Sequence, residues 1–300
     1  MSRLRAAATF TALCIGLFSV VFSAEAQDEA LTARRPIAAH DSLWMEELTW
    51  MEVRDLLLEG FTTVILSTGG IEANGPYTAL GKHNVLMEQA AEAIAKQLGH
   101  TLIAPIVRFV PEGDIDPPSM HMRYPGTFSV REETFRSLLR DSCESLAQHG
   151  FNTIILIGDS YGNQEGMKAV AAELSERWKR ARTRVYFVPE YYDIPGLKSW
   201  FAARGIKERP EGIHDDISYA TMLLAIDPTL VRAKERQLAG RFSVNGVSLE
   251  PIESMQRLGR EAAEHRVVNT VAAIRARLKA DGRAIDMPLN DTARRRYRTE

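Results

Sequence analysis

The sequence alternates short apolar segments with longer amphipathic segments from about residue 44 onwards. The short segments are rich in β-branched and aliphatic residues, which is typical of buried strands. In the longer segments, apolar residues recur at helical spacing. The predicted strands are 62–67, 102–109, 153–157 and 184–188, and the predicted helices are 49–59, 84–98, 131–149 and 164–180. This alternation predicts an α/β fold in which a mainly parallel sheet has helices on both faces.

Polar residues mark where the first two helices begin. Thr49 and Asn84 are predicted N-caps, because their side chains can accept hydrogen bonds from free backbone N–H groups. The last third of the chain is less regular. It predicts a helix at 216–225, an edge strand at 237–243 and a long helix at 254–280.

The first 26 residues have the layout of a secretory signal peptide. Arg3 and Arg5 precede an apolar run at 6–22, and Ser23-Ala24-Glu25-Ala26 provides a small-residue cleavage site. We expect cleavage after Ala26 and an exported protein, periplasmic or secreted, with no membrane attachment after cleavage. An uncleaved membrane anchor is the alternative, although the apolar run is short for a full span.

The remainder of the chain predicts a single domain. No linker rich in Pro, Ser or Gly interrupts the pattern after residue 42, so the domain is predicted to cover 42–280. The polar segment at 27–41 is predicted to be a flexible lead, and 281–300, with its cluster of arginines, a disordered tail.

Charge and cysteine content narrow the class of protein. Removal of residues 1–26 leaves 35 basic and 38 acidic residues, a formal charge of −3, which does not favour a nucleic-acid partner. Cys143 is then the one cysteine in the sequence, so no intramolecular disulfide can form. Its place among apolar residues at helical spacing predicts a buried structural thiol.

The candidate site lies in the loops that follow the strands. In open parallel sheets, ligands bind outside the carboxyl ends of the strands. The loops there contain Glu72, His83, Asp159 and His214, and we expect these side chains to lie close together. Carboxylate and imidazole ligands suit zinc or manganese. The alternative is that these polar loops only cap helices and bond to one another.

Three motifs in these loops resemble the creatininase-like amidohydrolase family. Residues 69–83 run in the same frame as the family segment Gly-Ser-x-Glu-Gln-His-Gly-Pro-His-Leu-Pro-Leu-Gly-Thr-Asp. Residues 120–127 are similar to Glu-His-x-x-Phe-Pro-Gly-Thr, and residues 158–163 to Asn-Gly-His-Gly-Gly-Asn. His214 begins a fourth element, His-Ala-Gly-Glu in the family. The resemblance covers about residues 43–230 and implies the same α/β fold.

Several metal ligands that the resemblance implies are replaced in this chain. Glu72 keeps its place, but Asn74 stands where the family has a histidine and His83 where it has a bridging aspartate. Ser160 replaces a further histidine, beside Asp159. A neutral imidazole cannot bridge two cations as a carboxylate does. We therefore predict one zinc or manganese ion, held by Glu72, His83 and Asp159.

The resemblance also implies catalytic and substrate-binding residues. His214 matches the family's catalytic histidine that is not a ligand, and it is predicted to act as a general acid oriented by Asp215 or Asp216. The predicted substrate-binding residues are Asn74, Tyr77, His121, Tyr124, Ser160 and Tyr161.

The leading functional hypothesis is a periplasmic, metal-dependent hydrolase that acts on a cyclic or linear amide and forms a homo-oligomer, as the resemblance implies. Two alternatives remain. The chain can be a protein that keeps the scaffold of the family but binds a small solute without catalysis. It can also be an esterase with Ser160 as nucleophile, because Gly158-Asp159-Ser160 resembles the nucleophile block of GDS-type esterases.

Overall fold

A computed structural model describes residues 30–209, 211 and 213–297 of the chain. Its central sheet has four parallel strands in the order β2-β1-β3-β4. In that register, Thr63 pairs with both Thr101 and Thr153. The strands are β1 (Thr63–Thr68), β2 (Thr101–Ile103), β3 (Thr153–Gly158) and β4 (Arg184–Phe187). The predicted parallel sheet is confirmed.

The sheet is surrounded by α-helices, and a short hairpin lies apart from it. The hairpin strands are β5 (Ser243–Val244) and β6 (Val247–Ser248). The helices are α1 (Trp50–Leu58), α2 (Lys82–Leu98), α3 (Glu132–His149), α4 (Tyr161–Arg177), α5 (Ile194–Ala202), α6 (Ile217–Ile226), α7 (Ala233–Leu238), α8 (Ile252–Ala280) and α9 (Asp291–Tyr297).

Alternate residues of each strand pack into different cores. Val64 and Leu66 contribute to the core that also contains residues of α1, α3 and α4. Ile65, between them, belongs to the core formed with α2 and α8. Since successive strand side chains point to opposite faces, helices cover both sides of the sheet, as predicted. Cys143 is fully buried in the first core, where burial raises the pKa of its thiol to about 12.

The start of α1 follows the predicted cap, whereas the start of α2 does not. The Thr49 side chain accepts a hydrogen bond from the Glu52 backbone N–H, and the Glu52 carboxylate accepts one from the Thr49 backbone N–H. Helix α2 begins at Lys82, so Asn84 lies inside its first turn. The Asn84 side chain instead accepts a hydrogen bond from the Gly70 backbone N–H at 3.1 Å.

Two predicted strands are wrong in extent or kind. The predicted strand at 102–109 is a strand only to Ile103, because Pro105 has no N–H to donate to a ladder. After Pro105 the segment pairs with β1 again through one isolated parallel β-bridge, between Thr68 and Val107. In place of the predicted edge strand at 237–243, α7 runs to Leu238 and the β5–β6 hairpin follows.

The two ends of the described chain pack against the domain. Arg35 contacts Asp55 of α1 at 2.9 Å, which tethers the predicted lead. After α8, the Thr62 and Thr63 hydroxyls donate to backbone carbonyls of Met287 and Ile285. The apolar side chains of the C-terminal segment that join the first core are Leu289, Ala293 and Tyr297. The structure of residues 281–297 therefore differs from the predicted disordered tail, because a stripe at i, i+4 and i+8 among the arginines is buried.

The predicted signal peptide and residues 27–29 of the lead lie outside the described residues, as do residues 298–300. No helix within the described ranges is long and apolar enough to cross a membrane.

Replacement of Leu289 tests whether the C-terminal segment is part of the core. Leu289 is almost fully buried, so Leu289→Ala should lower the free energy of unfolding by about 2–4 kcal/mol. Leu238→Ala is the matched control, because Leu238 is 80% exposed and its loss should change stability by no more than about 0.5 kcal/mol. Urea denaturation of the three proteins measures both effects. Equal stability of the two variants would show that the segment does not contribute to the core.

Candidate active site

A cleft of about 770 Å³ lies at the carboxyl ends of the strands. The segments that reach it include the loop between β1 and α2, the long segment between β2 and α3, the start of α4 and the residues before α6. Glu72, His83 and His214 line the cleft, and Asp159 is buried behind His83. The structure thus brings the four predicted side chains together, in agreement with the rule for parallel sheets.

The Glu72 carboxylate is the centre of this cluster. Its Oε1 lies 2.8 Å from His83 Nε2, 3.0 Å from His214 Nε2 and 3.1 Å from Lys82 Nζ. Its Oε2 lies 3.3 Å from His121 Nε2. Burial raises the pKa of Glu72, but hydrogen bonds from His214 and His83 and the charge of Lys82 outweigh burial and hold the pKa well below its usual range. Glu72 is therefore an ionised carboxylate surrounded by nitrogen atoms.

His83 connects Glu72 to a buried ion pair. The other ring nitrogen, Nδ1, lies 2.8 Å from Asp159 Oδ2. Asp159 Oδ1 accepts a hydrogen bond from Arg266, whose Nε and Nη2 also donate to the Tyr191 carbonyl. Burial and Lys82 lower the pKa of His83, but Asp159 and Glu72 raise it above its ordinary value. The contacts fix the orientation of the ring.

The position of Asp159 differs from its predicted role as a metal ligand. Its carboxylate faces Nδ1 of His83, while Glu72 faces Nε2 on the opposite side of the ring. Burial raises the pKa of Asp159, whereas Arg266 and His83 lower it, and the net shift is downward. Asp159 is thus placed to orient His83, on the side of the ring opposite to Glu72.

The side chains whose ligand atoms converge are Glu72, His83 and His214, whereas the predicted set has Asp159 in place of His214. One ligand atom from each of Glu72, His83 and His214 lies within 4.8 Å of the others. The His214 side chain is 46% exposed and packs edge-on against His121, with ring centroids 4.8 Å apart. The sequence predicts His214 to be a general acid. In the structure its Nε2 lies 3.0 Å from Glu72 Oε1, among the atoms that could bind a metal ion.

The two aspartates after His214 contact other groups. The Asp215 carboxylate is 2.9 Å from Arg236 Nη2 and accepts a hydrogen bond from the Thr78 hydroxyl. Asp216 caps α6 by accepting a hydrogen bond from the Ser218 backbone N–H. The contacts therefore do not support the predicted role of either aspartate in orienting His214.

The predicted substrate-binding residues fall into two groups. His121, Ser160 and Tyr161 line the cleft. Asn74, Tyr77 and Tyr124 do not. Asn74 is buried and accepts a hydrogen bond from Lys82, and the Tyr77 ring lies 4.8 Å from the Arg236 guanidinium. Burial is the largest effect on His121 and lowers its pKa.

Glu112 is a site residue to which the sequence assigned no role. Its Oε2 accepts a hydrogen bond from the Ser160 hydroxyl at 3.2 Å, while Oε1 is buried without a hydrogen-bond partner. The carboxyl group packs so closely on Gly70 that a Cβ there would lie 2.1 Å from Oε1. Burial, followed by the nearby Glu72 charge, raises the pKa of Glu112 to about 9. The cleft therefore contains a carboxyl group that is protonated at neutral pH.

Glu72, His83 and His214 fit one zinc or manganese ion. Two imidazole nitrogens and a carboxylate oxygen are ligands that both metals accept. Glu112, whose Oε1 has no hydrogen-bond partner, lines the same cleft.

Stability should depend on pH through Glu112. Between about pH 4.5 and 9, folded Glu112 keeps its proton while the unfolded side chain has lost it, so its contribution to stability falls as pH rises. Glu112→Gln cannot ionise, and its free energy of unfolding should fall less than that of the wild type between pH 5 and pH 9. Urea denaturation with a chelator measures this. Glu165→Gln, at an exposed position, should behave like the wild type. An unchanged pH dependence in Glu112→Gln would contradict the assignment.

Known proteins with similar sequences and folds agree on one family. A creatinine amidohydrolase of Pseudomonas putida is 24% identical over 200 residues, which are 63% of this chain and 74% of that protein. A solved structure described as creatininase with Mn has a TM-score of 0.57 at 18% identity, and covers 80% of this chain and 99% of its own. A mutant creatininase described as Zn-Zn type has a TM-score of 0.55 at 19% identity, covering 81% and 99%.

The family model of the creatininases, described as creatinine amidohydrolase, matches residues 46–274. This range contains all four strands of the central sheet and the residues that contact Glu72 and Asp159. The chain belongs to the creatininase family.

Proposed function

We propose that this protein is a metal-dependent hydrolase that cleaves the C–N bond of a cyclic or linear amide. One zinc or manganese ion would be held by Glu72, His83 and His214. The observation that carries the proposal is the convergence of their ligand atoms within 4.8 Å in a cleft at the carboxyl ends of the strands. Membership of the creatininase family supports an amide as the substrate.

The residues in and around the cleft would have different roles in such a reaction. The bound ion would polarise the amide carbonyl and lower the pKa of a water molecule. Asp159, paired with Arg266, keeps His83 in the orientation that presents Nε2 to the cleft. Glu112 holds a proton beside Ser160 and can donate it to the departing nitrogen, a role that the sequence had assigned to His214.

A binding protein without catalysis is the second candidate. Two buried ion pairs favour this candidate. Lys82 lies beside Glu72, and Arg266 lies beside Asp159. A site whose carboxylates are already paired with buried cations can serve to bind a small polar solute without a metal ion. Stabilisation by such a solute, with no product formed, would distinguish this candidate from the hydrolase.

The esterase alternative loses its support. The Ser160 hydroxyl donates to Glu112 Oε2 rather than to an imidazole, so the base that a serine nucleophile requires is not beside it. Labelling of Ser160 by a fluorophosphonate would revive this alternative.

Metal content and hydrolysis test the leading proposal together. The purified protein should contain about one equivalent of zinc or manganese after supplementation, and it should release product from creatinine or from another amide in a panel of cyclic and linear amides. Chelation should abolish turnover and the metal should restore it. Elemental analysis and product detection by mass spectrometry are the measurements. Protein that binds no divalent ion would refute the proposal.

Removal of His83 tests the ligand assignment. His83→Ala removes one of three ligands and should weaken metal affinity about tenfold or more, with the fold largely retained. His149→Ala is the control, because His149 is exposed at the end of α3 and should leave the affinity unchanged. Calorimetric titration gives the affinities, and circular dichroism reports on folding. Equal affinity in the two variants would show that His83 is not a ligand.

We also propose that the protein is exported and forms a homo-oligomer. Export is supported by Arg3, Arg5 and the apolar run before Ala26, and predicts an N-terminal residue of Gln27 in protein recovered from the source cell. An uncleaved Met1 would contradict export by this route.

Oligomerisation rests on the family alone, and a monomeric mass in light scattering at micromolar concentration would contradict it.

A further inference from the structure

Lys82 is a charged residue that the predicted site did not include. It occupies the first position of α2, next to His83, and its side chain is 1% exposed. Its Nζ lies 3.1 Å from Glu72 Oε1, donates a hydrogen bond to Asn74 Oδ1 and sits 4.7 Å from the Tyr219 ring centroid. Burial of an ammonium group is costly unless it is paired and hydrogen-bonded, and these contacts meet both conditions.

The groups around Lys82 hold its ammonium group against Glu72. The Asn74 amide donates to the Glu72 backbone carbonyl at 2.8 Å, which turns its own oxygen towards Lys82. Lys82 does not line the cleft, so its ammonium lies behind Glu72 as seen from the substrate side. The ammonium therefore occupies the position beside Glu72 that an ion on the buried side would need.

A second buried cation has the same relation to the other carboxylate. Arg266, on α8, is 5% exposed and pairs with Asp159, and its guanidinium lies 4.0 Å from the Tyr191 ring centroid. Glu72 and Asp159 thus each have a buried cation in direct contact, Lys82 and Arg266 respectively. A second ion placed behind either carboxylate would have to displace one of these cations.

We propose that Lys82 replaces a metal ion as the cation on the buried side of Glu72, and so limits the site to one divalent ion. This inference deepens the proposed function and rests on it only for the identity of the single ion. Lys82 is a positioning residue: it acts through Glu72 and does not touch the substrate. Its charge also competes with the ion for Glu72 Oε1, so it weakens the binding of the ion that the cleft accepts.

Lys82→Gln tests the proposal by removing the charge and keeping an N–H donor for Asn74. Zinc affinity should rise about tenfold relative to the wild type, the scale of effect that groups behind a metal ligand have. The double variant Lys82→Gln, Asn74→His adds an imidazole beside Glu72 and should bind two zinc ions per chain. Native mass spectrometry gives the number of ions, and competition with a chromophoric chelator gives the affinity.

Lys96→Gln is the matched control. Lys96 lies on the same helix but is 65% exposed. Its replacement changes the net charge by the same amount as Lys82→Gln and should leave zinc affinity and ion number unchanged. Thermal unfolding in chelator checks that each variant is folded. If Lys82→Gln fails to fold, the ion number of the wild type still tests the proposal, since two ions per chain in the wild type would overturn it.

The outcomes separate this inference from the proposed function. A wild type that binds neither zinc nor manganese refutes the metal-dependent hydrolase, yet supports the inference if Lys82→Gln then takes up an ion. Zinc binding by the wild type with no gain in affinity in Lys82→Gln and no second ion in the double variant overturns the inference and leaves the hydrolase in place.

Discussion

The structure of the site depends on one buried carboxylate. Glu72 is enclosed by His83, His214, His121 and Lys82, and an ionised carboxyl group at this depth is stable only because nitrogen atoms surround it. Those groups come from three separate segments of the chain, and Glu72 itself lies in a fourth. The Glu72 contacts therefore hold together the loop after β1, the start of α2, the segment before α3 and the residues before α6.

The same network links the site to the long helix α8. Arg266 reaches from α8 to Asp159 at the end of β3 and to the Tyr191 carbonyl, and Asp159 in turn contacts His83. Because the core between α2, α8 and the sheet positions Arg266, the orientation of His83 depends on packing that lies outside the cleft. The geometry of the site and the stability of the fold thus depend partly on the same interactions.

Sequence patterns predicted the fold well where the signal was local and repeated. Buried strands and amphipathic helices follow from periodicity, and the Thr49 cap follows from a Glu at the third helical position. The errors occur where a contact distant in sequence outweighs the local preference. Asn84 bonds to Gly70 across the site instead of capping α2, and the segment with Tyr297 packs on α3 despite its arginines.

The sequence by itself determined that Glu72, His83, Asp159 and His214 would meet, because the ends of parallel strands converge at one edge of a sheet. Only the tertiary structure decided which atoms face one another. It placed His214 with Glu72 and His83, turned Asp159 to the opposite side of the His83 ring and joined Asp215 to Arg236. It also brought Lys82 and Arg266 to the carboxylates. The physical reason is that the direction of a side chain within a loop depends on the contacts of the whole folded chain, which no local pattern records.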